Sequence, residues 1–342
     1  HEYILLYGKN ANQWAPGLLP RSDEQLKAYK NPDNDPRGVW RASDLSARTY
    51  SASCDYIITG PTGIKFSPPP SRSWIVNEEG YQRMLVDNRI TFGADGTGRP
   101  MQKKFITEVK DGITPETWLP REKGGDNKIA RYELKEIFPE NLFDTPKPSK
   151  LIKYLETIAG TKDTDIILDF FSGSATTAHA AMQQNAEDGE HRKFIMIQLP
   201  EPCDEKSEAY KAGYSNICEI GKERIRRAAK KIAEEHPDAK FDGGFRVLKL
   251  DDTNMKDVYY APADYEQNVL DLLESNIKED RTDLDLLFGC LLEWGLPLSL
   301  PYQSEDIEGC TVHNYNDGDL IACFDENIPD SVIKTIAKRQ PL

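Results

Sequence analysis

The sequence predicts an α/β protein, and three stretches carry that expectation. Residues 166–168, Ile-Ile-Leu, form a short apolar run suited to a buried parallel strand, with Asp169 at its carboxyl end. Residues 170–175 make a tight turn of small residues around Gly173, and the Ala-rich stretch from Thr176 reads as a helix with Ser174 or Thr176 as its N-cap. A further strand at 192–201 follows. After it Ile217, Ile220, Ile225, Ala228, Ala229 and Ile232 recur at near-helical spacing, giving an amphipathic helix over 221–235. A strand, a Gly-containing turn and a helix N-terminus, in that order, place a nucleotide-like cofactor at the carboxyl edge of an α/β sheet.

The other elements follow in chain order. His1 opens directly into the strand-like run 3–7, without the basic start or cleavage site of a secretory leader. Because the first residue is not Met and the chain opens directly into this strand-like run, it reads as a fragment. Over 20–130 Pro and Gly become frequent and short β-type runs such as 56–59 alternate with turns, so an irregular, loop-rich segment is expected. Two prolines fix an extended entry at 145–148, and Ser149 is placed to cap a helix over Lys150–Ile158. Lys222, Arg224, Arg226, Arg227, Lys230 and Lys231 read as the solvated face of the helix over 221–235, with a contact to a polyanion as the alternative. Beyond residue 241, Phe245–Leu250 alternates like a strand. Ala263–Ile277 and Asp283–Trp294 read as Leu-rich helices, and Leu286, Leu287, Leu291, Leu292 and Trp294 form either a private core or a partner surface. His313 reads as an ordinary strand or loop residue.

Bulk properties set limits. The 342 residues give room for two or three domains, and 38% hydrophobic with 29% charged residues is a globular composition. No apolar run approaches the roughly 20 residues needed to span a bilayer. The six cysteines include no Cys-x-x-Cys pair, so no metal ligands and no disulfide framework are expected, and a reducing cytoplasm suits them. The net charge of −14 is uneven: residues 1–130 carry 18 basic and 16 acidic side chains, whereas 241–342 carry 8 and 21. A local basic surface on the first part is thus compatible with a polyanion partner.

The turn Asp169-Phe-Phe-Ser-Gly-Ser-Ala-Thr-Thr177 lacks both the phosphate-loop and the dinucleotide glycine spacing. It resembles the S-adenosylmethionine motif of amino-methylating DNA methyltransferases, with Ala175 where that pattern often has its last Gly. The upstream Thr145-Pro-Lys-Pro148 resembles the element that precedes this motif in the β-type order. The resemblance implies S-adenosylmethionine as cofactor, held by Asp169, Phe170, Phe171, Gly173, Ser174 and Thr176 together with Thr145, Lys147 and Pro148. Lys147 would lie near the cofactor carboxylate. The ribose contact falls to Gln198 or Glu201.

Residues 20–130 interleave basic and aromatic side chains. Arg37, Arg41, Arg72, Arg99, Lys103 and Lys104 are the candidate DNA contacts, against the alternative of a charged surface over a small aromatic core. The runs 31–43 and 90–105 resemble the modification subunits of type III restriction-modification systems. That family implies a partial Rossmann-like S-adenosylmethionine-dependent methyltransferase sheet with an inserted loop-rich α+β target-recognition domain and a C-terminal α+β module. Residues 1–19 would end the catalytic half, 20–130 read DNA, 131–240 bind the cofactor, and 241–342 form an incomplete dimerisation or partner module. The implied activity is methyl transfer to N6 of a flipped adenine. The implied partners are double-stranded DNA, a second modification subunit and the helicase/nuclease restriction subunit, in a prokaryotic cytoplasm and away from membranes. The family's Asp/Asn-Pro-Pro-Tyr/Phe motif is missing; the nearest string, Ser67-Pro-Pro-Pro-Ser71, lacks both flanks. It is expected upstream of His1, so no catalytic residue is assigned and the fragment is expected to be inactive alone. The alternatives are a recognition and assembly module without cofactor, and a methyltransferase for a small molecule or protein.

Overall fold

The computed structural model describes residues 2–256 and 276–340, and these divide into two compact units between Gly244 and Phe245. The helix expected at Ala263–Ile277 falls almost wholly outside the described residues.

The first unit opens without the strand expected at residues 3–7. These residues pair with no strand among the described residues, and Tyr3 is 93% exposed. The loop-rich part holds β1 (Trp40–Asp44), α1 (Glu78–Val86), β2 (Ile90–Thr91) and β3 (Met101–Phe105). β3 is central, antiparallel to both β1 and β2. Only short pieces of ladder form because Pro and Gly interrupt the chain. What holds this part is an aromatic-rich core: Leu45, Ile58, Trp74, Tyr81, Ile90 and Phe92 are buried together.

The α/β part contains α2 (Asn127–Ile137), α3 (Ser149–Ala159), β4 (Ile166–Asp169), α4 (Thr176–Asp188), β5 (Lys193–Met196) and α5 (Ile217–Glu235). β4 and β5 are parallel, with Leu168 opposite Ile195. α4 packs against α3, α5 and β5. Its Ala178, Ala180 and Ala181 are fully buried, since small side chains let the neighbouring backbones approach closely.

Several expectations are corrected here. The β4 run is not buried on both faces. α4 covers one face, and Ile166 (61%), Leu168 (46%), Ile195 (47%) and Ile197 (46%) remain exposed on the other. Neither Ser174 nor Thr176 caps α4; the N-cap is Ala175, in the left-handed region at φ 58°, and makes no side-chain cap bond. Ser149 is the first residue of α3 rather than its cap, and its N–H donates to Glu133 Oε2 of α2 at 3.0 Å. A carboxylate brought from another helix thus satisfies a free N–H where the helix dipole favours negative charge. The basic face of α5 is not wholly solvated: Arg224 has no exposure, and the Arg227 guanidinium stacks 4.8 Å from the Phe138 ring.

In the second unit, α6 (Asp283–Glu293) begins with a Thr282/Asp285 capping box. It is followed by the antiparallel meander β6 (Tyr302–Ile307), β7 (Cys310–Tyr315) and β8 (Leu320–Cys323) and by α7 (Asp330–Lys338). Leu287 and Leu291 form a core with Tyr315 and Leu320, while Leu292 and Trp294 stay exposed, so the Leu-rich helix is core along one stripe only. Cys310 and Val312 pack against Val332 of α7. His313 is a buried strand residue whose Nδ1 lies 2.9 Å from Tyr302 Oη. The strand expected at Phe245–Leu250 is not found: among the described residues this segment is assigned to no strand.

Candidate functional site

The turn after β4 is built from its own side chains. The Asp169 carboxylate accepts the Phe171 N–H at 3.1 Å and the Thr177 hydroxyl at 2.6 Å, folding the turn back onto the first residues of α4. Gly173 sits at φ +50°, and a Cβ there would stand 3.3 Å from the Phe143 ring. Both the conformation and the close approach of the Phe143 ring therefore favour glycine here. Gly221 of α5 lies on the other side; a Cβ on it would stand 3.4 Å from the Gly173 carbonyl and 3.5 Å from Ala175 Cβ.

The strand after α4 supplies another brace. Gln198, just past β5, accepts the Gly173 N–H with Oε1 at 2.8 Å, while its Nε2 donates to the Leu199 carbonyl. The amide thus fixes the turn. Glu201, three residues on, is exposed at the same end of the sheet.

Phe143 and Ser149 bring the Thr145–Pro148 element to this turn. Pro146 and Pro148 are buried, Thr145 and Lys147 exposed, so the prolines anchor the segment and leave the cation outside. Lys147 Nζ donates to both Glu2 oxygens at 2.8 and 2.9 Å, and this pairing holds the Glu2 carboxyl below its usual range.

Behind the turn lies a polar cluster that the sequence reading missed. The Arg224 guanidinium donates to Ser174 Oγ (2.9 Å) and Thr176 Oγ1 (2.7 Å), and its other nitrogen is 3.5 Å from Glu133 Oε1. His179 Nδ1 lies 3.4 Å from Glu133 as well. Burial, helped by the Arg224 charge, pushes His179 down to about 3, so it is neutral. Burial likewise pushes Arg224 down to about 10, opposed by Glu133, and it stays a cation. The signal was present: 224 falls on the apolar stripe 220, 221, 225, 228 of α5, where an arginine must be buried.

The DNA candidates divide. Lys103 is 3% exposed; its Nζ donates to Asn88 Oδ1 at 2.9 Å, pairs with Asp33 and lies over the Trp40 ring. Arg37 is held by Asp35 through two bonds of 2.8 and 2.7 Å and stacks on Phe105, and the Arg37 hydrogen bonds hold the Asp35 carboxyl well below its usual range. These two knit residues 33–40 to 88–105. Arg99 donates to the Ser67 carbonyl, and Arg72 lies 3.6 Å from Asp44. Arg41 and Lys104 face each other directly across β1 and β3, and neither has a carboxylate partner among the described residues.

Strand pairing also gathers Cys310, Cys323 and Asp325, whose ligand atoms lie within 4.8 Å of one another. The Cys323 thiol donates to Asp325, which also accepts the Thr311 N–H at 2.8 Å, so ordinary hydrogen bonds account for the group. Among the described residues no helix is long and apolar enough to cross a membrane.

The amino-acid sequence of this unit has relatives among known proteins. A family model described as DNA methylase, of the N6/N4 type, covers residues 1–231. The chain is 38% identical over 253 residues to the type III restriction-modification enzyme StyLTI Mod subunit of Salmonella typhimurium, covering 73% of this chain and 37% of that protein. It is 30% identical over 291 residues to the EcoP15I Mod subunit of Escherichia coli, covering 84% and 42%, and 28% identical over 352 residues to the EcoPI Mod subunit of Escherichia phage P1, covering 92% and 52%. The chain therefore spans about half or less of the length of these curated relatives. With two thirds of its residues inside the family model, the chain belongs to the N6/N4 DNA methylase family.

Proposed function

We propose that this chain carries the S-adenosylmethionine-binding and DNA-reading parts of an adenine-N6 DNA methyltransferase that serves as the modification subunit of a type III restriction-modification system. The observation that carries the reading is the Asp169–Thr177 turn at the end of a parallel strand, braced by Phe143 against the Thr145–Pro148 element. The residues suit the cofactor. Gly173 leaves room that a Cβ would fill, the first N–H groups of α4 have no side-chain cap, and Phe170 and Phe171 are exposed beside the turn. When bound, S-adenosylmethionine supplies an activated methyl group.

The chain's own residues then take distinct roles. Asp169, Ser174 and Thr176 hold the shape of the turn. Lys147, with Thr145 and Pro148 fixing its approach, pairs with the cofactor carboxylate. Phe170 and Phe171 offer aromatic surface to its adenine. Glu201 accepts the ribose hydroxyls, because Gln198 is engaged with Gly173. β4 and β5 are two neighbouring strands of a Rossmann-like sheet, residues 20–130 are the target-recognition part, and 241–342 are the dimerisation or docking part. In the intact protein the target adenine leaves the stack, and the partners are duplex DNA, a second modification subunit and the restriction subunit in the bacterial cytoplasm.

The 342 residues contain no Asp/Asn-Pro-Pro-Tyr/Phe string to orient the adenine amine, so the chain alone transfers no methyl group to DNA. Calorimetry with S-adenosylmethionine tests the central reading: the chain should bind it and Asp169→Ala should abolish the heat. A chain that binds none refutes it.

A further inference from the structure

Arg224 is among the largest fully buried side chains, and its charge is held by polar groups drawn from three separate elements, the turn after β4, α4 and α2. One nitrogen donates to Ser174 Oγ, to Thr176 Oγ1 and, at 3.4 Å, to the Ser174 carbonyl; the other faces Glu133 Oε1 and His179 Nδ1. Glu133 turns its second oxygen to the Ser149 N–H, the first residue of α3, directly after Lys147-Pro148. A continuous bonded path thus runs from the cofactor turn through Arg224 and Glu133 to the Thr145–Pro148 element. Ser174 and Thr176, free of any capping duty, serve as its two acceptors on the turn.

Stability alone is a poor reason for this arrangement. Removing two charges from water is costly, and apolar residues of equal volume commonly hold a core as well or better. The Arg224 Nε is itself buried without a partner. What a planar, forked cation supplies is fixed geometry between groups on different elements.

We infer that Arg224 and Glu133 are positioning residues of the methyl-donor site, an ion pair of a buried arginine and a part-buried glutamate that sets the spacing between the Gly173 turn and Lys147. The inference rests on the reading that this turn holds S-adenosylmethionine. Neither side chain touches the cofactor; both act through Ser174, Thr176 and Ser149.

The test uses the full chain, Arg224→Lys, and the double variant Arg224→Met/Glu133→Gln, which removes both charges at similar volume. Amide exchange, thermal melting and S-adenosylmethionine calorimetry are measured on each. The double variant should stay folded, exchange its amides at 172–177 and 149–151 at least about tenfold faster, and bind S-adenosylmethionine roughly tenfold to a hundredfold more weakly. Arg224→Lys, which keeps the charge but lacks the fork, should show the same local loosening, and it decides the matter if the double variant does not fold. Unchanged exchange at the two segments in a folded variant overturns the inference. A wild-type chain that binds no S-adenosylmethionine refutes the proposed function instead, while the exchange measurement still decides whether the pair fixes the turn.

Discussion

The Asp169 carboxylate accepts the Thr177 hydroxyl at 2.6 Å, spanning the whole turn from the end of β4 to the second residue of α4. Thr177 is 7% exposed, so this charge-assisted bond is shielded from water. Thr177→Val keeps the shape and removes the donor. It should lower unfolding free energy by about 1.5–3 kcal/mol in urea titration and weaken S-adenosylmethionine binding. An unchanged midpoint would mean that the bond does not close the turn in solution.

Lys147 and Glu2 are both about half exposed, which limits their ion pair to about 0–1 kcal/mol. If Lys147 receives the cofactor carboxylate, Glu2 competes with it. Glu2→Gln should leave the melting temperature unchanged and tighten S-adenosylmethionine binding by at most about fivefold. Lys147→Ala should weaken it. Equal affinity in the wild type and Lys147→Ala removes Lys147 from the site.

Glu156 of α3 is 4% exposed, and neither carboxylate oxygen has a hydrogen-bond partner. Burial pushes it up from 4.5 to about 8, against the pull of Arg192 and Lys153. The folded chain then keeps a proton that the unfolded chain releases, so stability falls as pH rises from 4.5 to about 8. His179 works the other way: pushed down from 6.5 to about 3, it lets stability fall as pH drops through that range. The two oppose each other between 4.5 and 6.5, leaving 6.5 to 8 to Glu156. Glu156→Gln should gain about 2 kcal/mol on the wild type across that window in urea titrations. A constant difference would show Glu156 to be ionised when folded.

The local part of the site was legible and the long-range part was not. Ile166–Leu168, the small-residue turn and the 217–232 periodicity all report on neighbours in sequence, and β4, α4 and α5 follow them. Glu133 lies 91 residues from Arg224, and no local pattern announces their meeting. Arg224 itself was readable from its place on the apolar stripe, but its charge suggested solvent. The run at 166–168 implied cover on both faces because parallel strands usually have it. Phe245–Leu250 had alternation, but alternation is a property of side chains alone and does not by itself make a strand.

The uncovered β4–β5 face has a measurable consequence. Contiguous exposed apolar surface promotes association. Leu168→Lys and Ile195→Lys should reduce dye binding to apolar surface and self-association in sedimentation, with stability changed by no more than about 0.5 kcal/mol. A loss of about 2 kcal/mol or more would show that the face is packed in solution.

Arg41 and Lys104 oppose each other across β1 and β3 with no carboxylate partner among the described residues. Like charges directly opposite on a sheet are unfavourable unless something negative sits there, and a DNA phosphate would serve. Lys103, one residue away, is enclosed by Asp33 and Asn88 and has no such access. The two lysines should therefore behave differently. Arg41→Ala with Lys104→Ala should reduce the slope of log affinity against log salt by about 2, roughly one for each lost phosphate contact, and leave stability within about 0.5 kcal/mol. Lys103→Ala should leave the salt slope alone and destabilise the chain by about 1–3 kcal/mol, because it strands the Asp33 charge. If the double variant keeps the full salt slope on duplex DNA, this sheet does not face the phosphates.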